Sequence, residues 1–243
     1  MKNVIYEIKE NIPLTSSVYQ MRCKGDTSAF IRSGQFLNIK ISGLYLRRPI
    51  SLCDKNDDEI TILYKVVGEG TKRLSEMKVG EKLDVLSGLG NGYDTEKCVK
   101  EALLIGGGVG VPPLYLLAKD LLKQNKIVHV VLGFNTKDEV FYEEEFRKLG
   151  CDVKVVTVDG SYGEKGFVSD HLDLPYDHFY TCGPEAMLKA VYKATKTSGQ
   201  FSFEERMGCG FGACMGCTCQ TLTGNKRICK DGPVLEKGEI LWK

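Results

Sequence analysis

ALLIGGGVGVPPLYLLAKDLLKQ, residues 102–124, decides how this chain of 243 residues folds. Ala102 to Ile105 is a short unbroken apolar run, the kind that a strand buried on both faces requires. Gly106, Gly107, Gly108 and Gly110 follow at once, and Pro112 and Pro113 then open a helical segment that runs to Gln124. Strand, glycine turn and helix in direct succession begin a doubly wound α/β domain, whose glycines let phosphate approach the backbone at a helix N-terminus. The motif is not a full G-x-G-x-x-G, because Val111 stands where the third glycine would be. A plain glycine turn joining strand to helix remains an open alternative.

Downstream, the alternation continues. IVHVVLGF (127–134), VKVVTV (153–158) and DHFYTC (177–182) read as strands; DEVFYEEEFRKLG (138–150) and PEAMLKAVYKATKTSG (184–199) read as helices. Cys182, Gly183 and Pro184 fall at the C-terminal end of a predicted parallel strand, where open α/β sheets bind ligands; a prolyl helix start alone would also account for Gly183 and Pro184. Upstream, VYQMRC (18–23), QFLNIKI (35–41) and EITILYKV (59–66) are short alternating segments between turn residues, which predicts a small antiparallel β-barrel. The expected division is a barrel over 1–97, an α/β nucleotide domain over 98–199 and a small appendage over 200–243.

That appendage holds Cys209, Cys214, Cys217 and Cys229, spaced Cys-x4-Cys-x2-Cys with the fourth eleven residues on, the ligand spacing of a plant-type 2Fe-2S cluster. Gly208, Gly210, Gly212 and Gly216 interleave, as a loop wrapped round an inorganic core needs. Zinc competes as a reading, although its knuckles usually pair two Cys-x2-Cys units. Disulfides would need an oxidising compartment, and MKNVIYEIKE at the start does not read as a secretory signal. Cys219 breaks the ferredoxin pattern and reads as a neighbour. Cys23, Cys53, Cys98 and Cys151 read as small buried apolar residues.

The formal net charge is +1 and no run of either sign is long, so nothing points to nucleic acid or an anionic membrane. With no apolar stretch of spanning length, the chain reads as soluble and cytoplasmic. In the barrel, Arg47-Arg48-Pro49-Ile50-Ser51 places a guanidinium and a hydroxyl at a strand edge, which could equally be a solvated face. Leu63-Tyr64-Lys65 ends a strand, with Tyr64 either facing an aromatic ligand or filling the core. Gly70 and Thr71 open a helical segment that Thr71 is expected to cap, leaving N–H groups for a pyrophosphate. His129, His171 and His178 form no nucleophile–base arrangement.

Together, Arg48-Pro49-Ile50-Ser51, Gly70-Thr71, the glycines of 106–110, Cys182-Gly183-Pro184, the run Glu204 to Gly210 and the ending Ile228 to Val234 resemble the ferredoxin-NADP reductase superfamily. Within it, the chain is similar along its whole length to the electron-transfer subunits of NAD-dependent dihydroorotate dehydrogenases of the B type. The resemblance implies an oxidoreductase subunit of pyrimidine biosynthesis with FAD on the barrel, NAD on the α/β domain and 2Fe-2S on the four cysteines. It implies that Arg48 neutralises FAD phosphate, that Pro49, Ile50, Ser51, Leu63, Tyr64 and Lys65 contact the flavin or its ribityl chain, and that Gly70 and Thr71 cradle the pyrophosphate. Gly107, Gly108, Gly110, Gly183 and Pro184 would border NAD, with Cys182 near the nicotinamide. An FMN-containing catalytic subunit would oxidise dihydroorotate, in a heterotetramer of two of each. The alternatives are the flavin subunit of a ferredoxin:NADP oxidoreductase or sulfide dehydrogenase and, from another class, a non-catalytic zinc-binding module. Gly88-Leu89-Gly90 departs from the Gly-Pro-x-Gly of many relatives. Gly133 to Asp138 offers neither a clear acidic ribose ligand at the strand end nor an arginine pair.

Overall fold

The computed structural model describes residues 1–242. Strands β1 (Lys2–Pro13), β2 (Val18–Lys24), β3 (Phe36–Lys40), β4 (Arg48–Lys55), β5 (Glu59–Lys65) and β6 (Lys82–Leu89) close an antiparallel barrel in the order β1-β2-β5-β4-β3-β6. Period-two alternation explains it: Leu37, Ile39, Leu52, Ile60, Ile62, Leu83 and Val85 turn inward and pack with Tyr6, Met21 and Phe30. Between β5 and β6, helix α1 (Glu69–Glu76) plugs one end with Leu74.

The second sheet has seven strands, β7 (Glu101–Gly107), β8 (Ile127–Phe134), β9 (Asp152–Thr157), β10 (Glu164–Lys165), β11 (His178–Cys182), β12 (Gly199–Ser202) and, after the hairpin β13 (Thr218–Thr221) and β14 (Gly224–Arg227), β15 (Val234–Glu236). Its order is β10-β9-β8-β7-β11-β12-β15, parallel except for β15. Helices α2 (Pro112–Lys123), α3 (Glu143–Lys148) and α4 (Glu185–Ala194) cover it. Strand order reverses between β7 and β11, which opens a crevice at their C-terminal ends. No helix among the described residues is long and apolar enough to cross a membrane.

Two elements differ from the sequence reading. The helix expected over 138–150 is a 3-10 turn at Lys137–Glu139 and then the short α3, because Tyr142 takes φ 67° and turns its ring inward. There it meets Tyr115 edge-on at 5.2 Å, and its hydroxyl donates to Gln20 of the barrel at 2.9 Å. The sheet also runs past residue 199: β12 pairs with β11, and β15 returns more than thirty residues later to pair with β12.

Barrel and sheet share a core. Helix α2 lies across β4, and Cys53 and Leu63 of the barrel join Leu114 and Leu117 of α2 in one apolar cluster. An ion pair between Lys119 and Asp54, 2.7 Å, closes the seam.

Candidate functional site

At the switch point the glycines serve packing before they serve any ligand. A Cβ at Gly107 would come within 2.4 Å of the Met187 sulfur, and one at Gly110 within 2.3 Å of the Cys182 carbonyl oxygen. Only Gly108, at φ 50°, looks onto open space. The two turns, 106–110 and 182–184, are thereby pressed together at the mouth of the crevice. Burial pushes the Cys182 thiol up to about 12, against a hydrogen bond from Ser202 that lowers it, so the group is a neutral thiol at pH 7.

Sequence reading missed an acid here. Glu139 folds back onto the end of β8, where its carboxylate accepts from the Asn135 side chain at 2.8 Å and from the Asn135 backbone N–H at 3.2 Å. A carboxylate at this strand end is where the ribose of NAD is read in doubly wound folds. Its displacement by five residues from Phe134 hid it from the sequence.

On the barrel, Arg48 lies on the first turn of α1. A Cβ at Gly70 would sit 2.2 Å from the Arg48 Nε, so glycine is required for the approach. The guanidinium also donates to the Leu46 carbonyl. Thr71 is not the cap residue; Gly68 is, and Thr71 follows at the third helical position. Its hydroxyl accepts from the backbone N–H groups of Val67 and Gly68 at 3.0 and 3.3 Å, which fixes the loop before the helix. The one acid of that turn, Glu69, is drawn off by Arg73 at 2.7 Å. A guanidinium and open helix N–H groups without a competing free carboxylate suit a pyrophosphate.

Along β4, Pro49 and Ser51 face outward beside Asn38 and Phe36 of β3, their register partners. Tyr64 points the other way: its ring fills the barrel core, and its hydroxyl donates to Asn11 at 2.8 Å. Any contact from position 64 to a ligand therefore runs through its backbone, while Leu63 faces the interdomain cluster and Lys65 is exposed.

The four cysteines gather on a loop seated against the barrel. Phe36 and Leu89 of the barrel pack with Cys217, Ile228, Cys229 and Leu235. Gly210 and Gly212 take φ 80° and 90°, and Met215 takes 58°, turning backbone N–H groups inward toward sulfur. Cys209 Sγ accepts from the N–H groups of Ala213 at 3.2 Å and Cys214 at 3.4 Å, Cys214 Sγ from Gly216 at 3.5 Å, and Cys217 Sγ from Cys229 at 3.4 Å. Partial burial raises the Cys209 thiol, but the N–H groups of Cys214 and Phe211 outweigh it and bring the group down to about 6. Burial, with the Cys217 thiol beside it, pushes Cys229 up to about 12.

Backbone N–H groups join the cysteines in two pairs, Cys214 donating to Cys209 Sγ and Cys229 to Cys217 Sγ, each at 3.4 Å. Two such pairs suit the two irons of a 2Fe-2S cluster, each of which takes two thiolates. Among the described residues no three His, Cys, Asp or Glu side chains are close enough to hold one metal ion. The donor set fits a 2Fe-2S cluster.

Arg227 braces the loop. It pairs with Asp231 at 2.9 Å and donates to the Gly212 carbonyl at 3.0 Å, tying the first three cysteines to the segment that carries the fourth. Asn38, buried in the middle of β3, reaches the same loop by donating to the Cys209 carbonyl at 3.3 Å. Neither residue stood out in the sequence; the only trace of Asn38 is an amide inside the apolar run FLNIK.

A flavin-type barrel packed on a dinucleotide-type sheet places the chain among the oxidoreductases of the ferredoxin reductase class. A solved NADH-dependent reduced ferredoxin-NADP oxidoreductase superposes with a TM-score of 0.89 at 29% identity, covering 98% of this chain and 90% of that one. The FAD/NAD-binding domain of a nitric oxide dioxygenase from Vibrio cholerae shares the fold at TM-score 0.69 and 23% identity, over 80% of this chain and 92% of its own. Residues 104–193 match the oxidoreductase NAD-binding domain, and residues 204–241 match the iron-sulfur cluster binding domain of dihydroorotate dehydrogenase B. The electron transfer subunits of dihydroorotate dehydrogenase B (NAD(+)) from Fusobacterium nucleatum and Bacillus pumilus are each 46% identical, over 96% and 99% of this chain and 96% and 98% of theirs. The chain belongs to that family of electron transfer subunits.

Proposed function

We propose that the chain moves electrons between dihydroorotate, oxidised on an FMN-containing partner subunit, and NAD+, with FAD on the barrel, 2Fe-2S on Cys209, Cys214, Cys217 and Cys229, and NAD in the crevice between β7 and β11. One observation carries the reading: the cysteine loop packs against β3, and β3 pairs directly with β4, which bears the flavin candidates Arg48 to Ser51. Bound there, FAD supplies the conversion between the two electrons of a hydride and the single electrons that an iron-sulfur cluster carries.

The chain's own residues bind and exclude. Arg48 and the first turn of α1 hold the FAD pyrophosphate, with Gly70 keeping the path open. Pro49 and Ser51 line the flavin, while Ile50, whose side chain packs on the barrel core, reaches it through its backbone. Gly107, Gly108 and Gly110 shape the NAD crevice with Gly183 and Pro184, and Glu139 favours a ribose 2′-hydroxyl over a 2′-phosphate. Cys182, held neutral, borders the nicotinamide as an uncharged wall and takes no proton. The histidines lie elsewhere: His129 bonds Asp152 at 3.1 Å, His171 donates to the Lys165 carbonyl at 3.2 Å, and His178 bonds Ser198 at 2.9 Å. Acid–base work on the organic substrate therefore belongs to the partner.

The same reading divides the chain at 1–97, 98–199 and 200–243, with β12, which straddles the second boundary, and β15 of the last segment completing the sheet. It sets the assembly as two copies of each subunit in the cytoplasm. Co-purification tests it: an FMN-containing barrel subunit that confers dihydroorotate-dependent NADH formation supports the proposal. A multi-cluster partner would instead favour the flavin subunit of a ferredoxin:NADP oxidoreductase. A colourless chain with stoichiometric zinc would refute both.

A further inference from the structure

Asn38 donates a hydrogen bond to the cluster loop from β3, the strand beside the flavin candidates. Leu37 and Ile39 turn into the barrel core, so Asn38 projects outward, next to Pro49 across the β3–β4 register. It is 1% exposed. The Cys209 carbonyl can only accept, so the amide nitrogen must face it, at 3.3 Å, and the amide oxygen is left over. That oxygen is buried with no hydrogen-bond partner. A buried polar atom left unpaired costs about 1–3 kcal/mol, so it marks a place where something else donates.

The loop is shaped to this contact from its other side. Gly210, at φ 80°, stands so close that a Cβ there would lie 2.4 Å from the Asn38 Nδ2. Backbone and amide are thus fitted to each other at the first cysteine ligand. A 2Fe-2S cluster offers sulfide and thiolate acceptors and no donors, while an isoalloxazine carries ring N–H groups. Of the two groups proposed for this face, only the flavin can satisfy the free oxygen.

We infer that Asn38 is a positioning residue for electron transfer: its nitrogen fixes Cys209 against β3, and its oxygen accepts from a flavin ring N–H, so one side chain sets the cluster and the flavin relative to each other. The inference rests on the proposed FAD and 2Fe-2S sites.

The test is Asn38→Leu, with Asn38→Ala as the smaller replacement should leucine fail to fit, each purified anaerobically as the complete chain. Stopped-flow absorbance follows the reduction of flavin and cluster by NADH, paramagnetic resonance reads the reduced cluster, and spectroelectrochemistry reads the flavin potential. Outer-shell partners of metal ligands usually matter by roughly 10–100-fold. The expected result is a slowing of that size in cluster reduction, larger than any change in the rate of flavin reduction by NADH, together with an altered cluster resonance and a shifted flavin potential. Gly210→Ala, which forces the amide away from the loop, should reproduce the cluster effects. Unchanged resonance, potential and transfer rate in a variant that keeps both cofactors would overturn the inference. So would parallel loss of both cofactors with a lowered melting temperature, which marks a purely structural side chain. Failure of the underlying reading is distinguishable, since the unmodified chain would then contain no flavin or no cluster.

Discussion

The barrel and the cysteine segment lie against each other but are held in different ways. The barrel encloses a core of its own, from Tyr6 and Ile8 through Leu37, Ile39 and Ile62 to Val85, that no ligand enters. The cysteine segment has none. Its apolar contacts are made by Cys217, Cys229 and Ile228, pressed on Phe36 and Leu89 of the barrel, and its backbone is fixed by Arg227, by Asp231 and by N–H groups aimed at sulfur. The contrast teaches that the two cofactor sites draw on different sources of order. At the proposed sites flavin would meet a surface that apolar burial has already made rigid, whereas the cluster would be part of what folds its own site.

The strongest way to break that comparison is Cys217→Ser. The account expects complete loss of iron and rapid proteolysis within 203–233, with FAD still bound and barrel residues still protected; flavin lost together with iron from a folded chain would contradict it. Arg48→Ala sharpens the other half. Removing a charge-assisted contact to phosphate should weaken FAD binding by roughly 10–100-fold, about 1.5–3 kcal/mol, as read by flavin fluorescence, and should leave the melting temperature of the flavin-free chain alone.

His178 reports on the sheet that the barrel leans on. Burial pulls its pKa down from 6.5 to about 4, so the unfolded chain binds the extra proton between those values. Stability contributed by the neutral ring is full above pH 6.5, is lost as pH falls toward 4 and falls no further below that. The ceiling is about 3 kcal/mol, and His178→Phe should flatten this part of the melting profile. Smallest is Tyr64→Phe, which removes the bond to Asn11 at a cost of about 1 kcal/mol in denaturant unfolding. FAD affinity should not move, because the ring faces the core.

Much of this was legible in the chain. Apolar alternation gave the barrel strands, the run from Ala102 to Pro113 gave the sheet, and cysteine spacing pointed to the iron-sulfur segment that the match over residues 204–241 bears out, since each signal is local. What stayed hidden depends on distance in sequence. Thr71 looked like a cap, but the helix begins earlier, at Glu69, with Gly68 as a cap that no side chain advertises. Gly106 packs locally against Val111, whereas Gly107 and Gly110 pack against Met187 and Cys182, contacts that exist only once β7 and β11 are neighbours. Glu139 reaches the end of β8 by folding back, and Asn38 acquires meaning only when Cys209, 171 residues on, comes to rest against it.

The central claim is that flavin and cluster share one electron path across β3 and β4. Anaerobic titration of the purified chain with NADH, followed by absorbance and paramagnetic resonance, tests it most directly. The account predicts about two irons for each flavin, bleaching of the flavin, and a reduced 2Fe-2S signal that loses intensity when Cys214 is replaced by serine. A flavin that bleaches while a fully loaded cluster stays oxidised until a mediator dye is added, and is then reduced, would contradict it.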